Sequence, residues 1–266
     1  MAFTNARILY SYDAWDAATV TASSEVIAAR ASNLLLDPLG KLWATASGET
    51  GPEWAKFRLA AATRLTCVCL VGGNWTAAAT LRLQGNAEDE WSYPPYSQTL
   101  TVATDADGIP WRHLIVYLDQ TYRYWRLTWD DPTNPDGRLG LGRVIAGQYY
   151  QLGRNFALGA RIGWADPSAI EHKGGTVENV PDADELQPRY RQLRLSFPNR
   201  DATMAAKWEA IYRKVGNSRP VVLGLDPENA PTAKGIYGYL ITDMEEVWTR
   251  YSRMDLATVV FEEKTR

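Results

Sequence analysis

The chain has 266 residues, 45% hydrophobic and 22% charged, with a net charge of −3. That is a globular composition, long enough for one large domain or two ordinary ones, and it excludes a basic nucleic-acid-binding protein. No apolar run approaches the roughly 18 residues of a membrane helix. The N-terminal Met-Ala-Phe-Thr-Asn-Ala-Arg lacks a secretory signal's cationic start and apolar core. We therefore expect a protein made in a cytosol, with no membrane partner.

In chain order, Ile8 to Tyr12 is a short apolar arm, Ala18 to Ser24 alternates small and polar residues, and Asn33 to Leu39 closes at Asp37-Pro38 and Gly40. Trp54, Phe57 and Leu59 open a strand region, and Leu65 to Val71 is a second, continuous apolar strand ended by Gly72-Gly73. Cys67 and Cys69 in that run point the same way and read as small buried hydrophobes. Leu81 and Leu83 face inward while Arg82 and Gln84 face out. Ala87 to Gln98, with Pro94-Pro95, is a long polar and aromatic loop, the kind of segment that carries contacts. Leu114 to Leu118 is a strand. Tyr122 to Trp129 is another, with Trp125, Leu127 and Trp129 on one face and Tyr124, Arg126 and Thr128 on the other. Asp130 to Gly137 is a turn cluster, and Leu139 to Ala146 returns as a strand.

The second half reads differently. Phe156 to Trp164 is a strand candidate, 165–188 is a polar excursion containing Gly174-Gly175 and Pro181, and Tyr190 to Phe197 alternates. Asp201 to Val215 is a helix, because Met204, Trp208, Ile211, Tyr212 and Val215 form one stripe. Asn199 or Asp201 can cap its start, and Gly216 follows its end. Pro220 to Leu225, Gly235 to Thr242 and one long segment from Val247 to Glu262 complete an α+β unit. The expected domains are 1–148 and 149–266.

The chemistry-bearing residues are few. His113 and His172 stand apart from any nucleophile, and no G-x-S-x-G, H-E-x-x-H or P-loop occurs. Asp105-Ala-Asp-Gly108, and Asp130-Asp131 with Asp136, read as turns rather than calcium loops, the first lacking a closing glutamate. Glu245-Glu246 and Glu262-Glu263 read as solvated strand ends. Asn74-Trp-Thr76 matches a glycosylation acceptor incidentally. We expect no catalytic residue, no metal and no cofactor, hence no enzyme. The eleven Trp and fourteen Tyr are the compositional signal. Trp75, Trp91, Tyr93 and Tyr96 lie on candidate loops, where aromatics can stack on a sugar or fill a protein interface.

Several stretches occur in an order that resembles discoidin-like, or galactose-binding-like, β-sandwiches. They are Asp16-Ala-Ala-Thr-Val-Thr-Ala-Ser-Ser-Glu25, Ala31-Ser-Asn33-Leu-Leu-Leu36 and Trp43, then Trp54-Ala-Lys-Phe57-Arg-Leu59. Gly72-Gly-Asn74-Trp75 precedes Thr80-Leu-Arg-Leu-Gln-Gly85, and Arg123-Tyr-Trp-Arg-Leu127 and Leu141-Gly-Arg-Val144 follow. This resemblance covers about 10–148 and implies a sandwich able to bind glycans or lipids through exposed aromatics at one end.

A second resemblance is carried by Gln192-Leu-Arg-Leu-Ser-Phe197, the helix, Arg219-Pro-Val-Val-Leu223, Asp226-Pro227, Ile236-Tyr-Gly-Tyr239 and Val260-Phe-Glu-Glu263. With the sandwich before it, this order is similar to distal-tail or baseplate proteins of long-tailed bacteriophages, although those commonly place the ring domain first. The implied fold is mainly β: a galactose-binding-like sandwich followed by a tail-tube-like antiparallel barrel or sandwich with one packed helix. The implied role is a structural virion protein forming a homo-oligomeric ring, a hexamer, assembled in the host cytoplasm and located in the tail. Its partners would be the tube, the hub or tip and the tape measure. The alternative is a carbohydrate-binding module recognising surface glycans.

Overall fold

The computed structural model describes residues 5–37, 39–157, 159–165, 169–173, 176–180, 190–243, 246–250 and 253–264. The chain separates into two compact units, Met1–Gly153 with Val221–Tyr237, and Arg154–Pro220 with Gly238–Arg266. The sequence reading divides the chain once, at 148/149. Structurally, Val221–Tyr237 goes with the first unit, because the strand Val221–Gly224 pairs antiparallel with Arg7–Leu9 near the N-terminus. The fold is mainly β, built from antiparallel sheets.

The first unit begins with β1 (Arg7–Leu9), a one-turn helix α1 (Asp13–Asp16) and β2 (Thr19–Ala22). A 3-10 turn at Ala31–Leu35 leads to β3 (Trp43–Ala44) and β4 (Glu53–Val71). Next come β5 (Thr80–Asn86), β6 (Tyr96–Leu100), β7 (His113–Asp130), β8 (Gly140–Leu141), β9 (Arg143–Gly147) and β10 (Tyr150–Gln151). The principal sheet runs β2-β4-β7-β5-β6, with β9 added beside the C-terminal half of β4.

The separate strand candidates at Trp54–Leu59 and Leu65–Val71 are corrected by the structure to one strand, as are those at Leu114–Leu118 and Tyr122–Trp129. Each long strand passes through a corner. Arg58 faces Tyr124 but Thr63 faces Tyr122, so residues 59–62 of β4 bulge out opposite a single residue of β7. The Arg123 Nε donates to the Leu59 carbonyl at 3.3 Å and braces that corner. The sheet thereby folds over its own core. Phe57, Leu81, Leu83, Trp125, Leu127 and Trp129 are buried on the inner face. Trp15 stacks on Phe57 at 4.6 Å and donates its indole N–H to the Val144 carbonyl. Cys67 and Cys69 are fully buried, as their place in a continuous apolar run predicts, and burial pushes the Cys67 thiol up to about 12.

The second unit opens with β11 (Arg161–Ala165). The hairpin β12 (Ala169–Lys173) and β13 (Thr176–Val180) follows, then β14 (Tyr190–Arg200) and α2 (Ala202–Val215). After β15 (Val221–Gly224), which belongs to the first unit, come β16 (Gly235–Leu240), β17 (Glu246–Arg250) and β18 (Arg253–Glu263). In this unit β18 pairs with β14, β17 and residues 238–240 of β16, and β14 pairs with β11. The helix matches its stripe: Met204, Trp208, Ile211 and Val215 are buried, and Trp208 meets Phe197 of β14 at 4.7 Å. The Asp201 carboxylate accepts the Met204 N–H at 2.9 Å, the cap that sequence suggested.

Three further expectations change here. The strand foreseen at Phe156–Trp164 starts only at Arg161, because Gly159 has a φ of +93°, which breaks an extended run. The polar excursion at 165–188 contains the β12/β13 hairpin; Gly174, Gly175 and Pro181 and the side chains of Glu171, His172 and Lys173 lie outside the described residues. The long strand expected at Val247–Glu262 is instead the β17/β18 hairpin, with Arg250 opposite Arg253, and no Gly, Pro or Asn marks its reversal.

Candidate functional site

The four loop aromatics singled out from sequence do not stay together. Trp75 is 3% exposed: its ring packs over Gly73 and lies 5.7 Å from Trp129, and its indole N–H donates to the Trp111 carbonyl at 2.8 Å. It is a core residue and is not available to a ligand. Tyr96 is also turned inward. It begins β6, stacks on Tyr122, meets Trp125 edge-on at 5.9 Å and donates its hydroxyl to Gln98. Burial pushes its phenol up to about 12. Trp91 and Tyr93 do remain on the surface, on the loop that joins β5 to β6, and Tyr93 is 93% exposed.

That loop covers the outer face of the principal sheet. The register across the strands orders this face into three rows. Thr99, Arg82, Thr128 and Trp54 lie in line. Ser97, Gln84, Arg126, Lys56 and Thr21 form the next row, and Asn86, Tyr124, Arg58 and Thr19 the third. Lys56 and Arg126 are thus direct cross-strand neighbours, a like-charge pair that destabilises a bare sheet.

The loop resolves this conflict. Asp89 accepts from the Lys56 ammonium at 3.0 Å and from the Trp91 indole N–H. The Trp91 ring lies under the Arg126 guanidinium at 4.7 Å and within 5.9 Å of the Lys56 nitrogen, which itself sits 4.7 Å over Trp54. Arg126 also donates through Nε to Gln84 Oε1 at 2.7 Å and through Nη2 to the Trp91 carbonyl at 3.4 Å. Asn86 ties the far side by donating to the Glu90 carbonyl. Gln84, although outward-pointing as predicted, is consequently only 5% exposed.

The result is a clasp in which aromatic planes and cations alternate: Trp54, Lys56, Trp91, Arg126. The Trp91 indole hydrogen bond and then Lys56 hold the Asp89 carboxyl below the ordinary carboxylate range. Burial lowers the Arg126 guanidinium from its usual value, yet a group of such basicity stays charged at neutral pH. Tyr124 lies on the same face with the Arg123 guanidinium 5.5 Å from its ring.

The sequence reading missed Trp54, Lys56 and Arg126 as site residues. The signal was the alternation of Glu53–Leu59, which places a tryptophan on the polar face of a strand.

The aspartates weighed for calcium act as loop pins. Asp131 accepts from the Thr76 N–H, the Thr76 hydroxyl and the Asn134 amide, and Asp105 accepts from the Asp107 and Ile109 N–H groups. Among the described residues no three His, Cys, Asp or Glu side chains cluster as a metal site. His113 is buried, with Nε2 3.0 Å from the Thr232 carbonyl.

Solved carbohydrate-binding modules resemble this chain. A chitosan-binding module from a Paenibacillus sp. IK-5 chitosanase/glucanase is 20% identical, over 52% of this chain and 99% of its own, with a TM-score of 0.39. A Clostridium perfringens module in complex with GalNAc-β-1,3-galactose is 11% identical over 52% of this chain and 100% of its own, at 0.41. A Streptococcus pneumoniae fucose-binding module is 11% identical over 52% and 95%, at 0.39. These neighbours are sugar-binding modules rather than tail proteins. No family model matches the chain, and no curated protein matches it.

Proposed function

We propose that the chain is a non-catalytic glycan-binding module whose site is the outer face of the β2-β4-β7-β5-β6 sheet beside the Trp91 loop. The observation that carries this reading is the clasp itself. Two partly exposed tryptophans, each with a cation over its ring, and the exposed Tyr93 are set among outward Thr, Ser, Asn and Arg side chains. A sugar ring has one apolar C–H face and a rim of hydroxyls, and aromatic planes beside fixed polar groups match both. The sugar-binding neighbours agree with the proposal in kind but do not carry it. A glycan array tests it: the native chain should bind a subset of glycans, and Trp91→Ala should weaken that binding about tenfold. Equal binding by native protein and the variant would overturn the site assignment, and the lack of any bound glycan would overturn the function.

A second reading, the tail or baseplate ring located in the virion, is favoured by one feature of the second unit. The strand β11 ends its sheet among the described residues and exposes Ile162 and Trp164 at 47% and 61%. An apolar edge strand is a template for pairing with another copy. Light scattering distinguishes the readings: a closed ring of six copies would measure about 180 kDa, whereas a monomer at high concentration would count against it.

A further inference from the structure

We infer that the glycan is acidic: the clasp face is built for a polysaccharide carrying carboxylates, as uronic acids do. This rests on the proposed glycan-binding site and names its substrate class. The chain as a whole carries a net charge of −3, yet the three residue rows of this face hold Arg58, Arg82, Lys56 and Arg126 and not one carboxylate. On the strands of this face the first acid is Asp130, opposite Thr80 and one row beyond Arg82; the others, Glu88, Asp89 and Glu90, lie on the loop. Asp89 is committed to Lys56 and Trp91, and the Glu90 carboxylate accepts the Ser92 N–H at 2.6 Å.

The central cations are therefore used to fasten the loop, while the outer two are not. Arg58 and Arg82 are exposed and have no hydrogen bond or ion pair among the described residues. They flank the clasp on opposite sides, Arg58 on β4 in the Tyr124 row and Arg82 on β5 in the Thr128 row. Strand spacing and rise put their Cα atoms roughly 16 Å apart, a span of several sugar rings. A guanidinium presents a planar fork that matches a carboxylate in two parallel hydrogen bonds. A chain laid across the tryptophans would meet one such fork at each side. A neutral polymer would offer these forks only single, uncharged acceptors.

The test compares binding of polygalacturonate, alginate and hyaluronan with their methyl-esterified forms, which keep the sugar and remove the charge. Duplex DNA serves as a polyanion without sugar acids. At least one acidic polymer should bind tenfold or more tightly than its ester, with affinity falling as salt rises. Arg58→Ala and Arg82→Ala should each weaken it about five- to tenfold and flatten the salt dependence, with Arg→Lys restoring only part. Equal binding of acid and ester, or of neutral glycans alone, would overturn the acidic assignment and leave the glycan site standing. Binding of DNA as tightly as the best acid polymer would also overturn it, marking a surface that reads charge alone. No binding by any glycan, acidic or neutral, would overturn the site itself.

Discussion

At the residue scale, two tryptophans that look alike in sequence have opposite roles. Trp75 and Trp91 both follow polar turn residues, but Trp75 packs on Gly73 and Trp129 while Trp91 lies over the outer sheet. Trp75→Ala should cost about 3–5 kcal/mol, the range for emptying a buried aromatic site, and a thermal melt would show a large drop. Trp91→Ala should cost about 1 kcal/mol or less, since surface cation–π contacts are worth little, while weakening glycan binding about tenfold. Similar melting shifts for the two would contradict the assignment. Cys67 and Cys69 offer a second check. Their burial keeps both as thiols, so a thiol-reactive dye should label them only on unfolding; labelling of the native chain would show that the sheet opens there.

At the element scale, the Trp91 loop is held by charge, and its stability should follow pH. The folded-state value of Asp89 is depressed by the Trp91 indole and Lys56. Its stabilisation is therefore complete above the ordinary aspartate value of about 4 and is lost as pH falls through the depressed value. Proteolytic nicking within 87–95 by an acid-active protease should rise in that window, and Asp89→Asn should show the same sensitivity at neutral pH. An unchanged cleavage pattern would mean that the clasp does not hold the loop. In the other unit, Asp201→Ala should destabilise α2 by about 1 kcal/mol through loss of its cap, read by chemical denaturation.

The elements differ in how far sequence revealed them. The helix was legible because its stripe, cap and closing glycine agree. The β17/β18 hairpin was not, since alternation continues through a reversal that carries no Gly, Pro or Asn. The register of β4 against β7 was also hidden, because four bulged residues shift every pairing beyond Thr63.

At the scale of the whole molecule, the chain is two compact units, and the strand Val221–Gly224 joins the N-terminal one. The β-rich class and the inward faces of β5 and β7 were determined by the sequence, since a period of two in apolar residues has only one way to be buried; the cysteines follow from a continuous apolar run, which is buried on both faces. The aromatic loop was also visible, with the partly exposed Trp91 and the exposed Tyr93. Only tertiary structure decided the rest. A loop aromatic carries no sign of whether it turns to the core, as Trp75 and Tyr96 do, or to solvent. The clasp joins positions 54, 56, 84, 89, 91 and 126 from three strands and a loop. Strand order and register create that neighbourhood, and neither is written in local spacing.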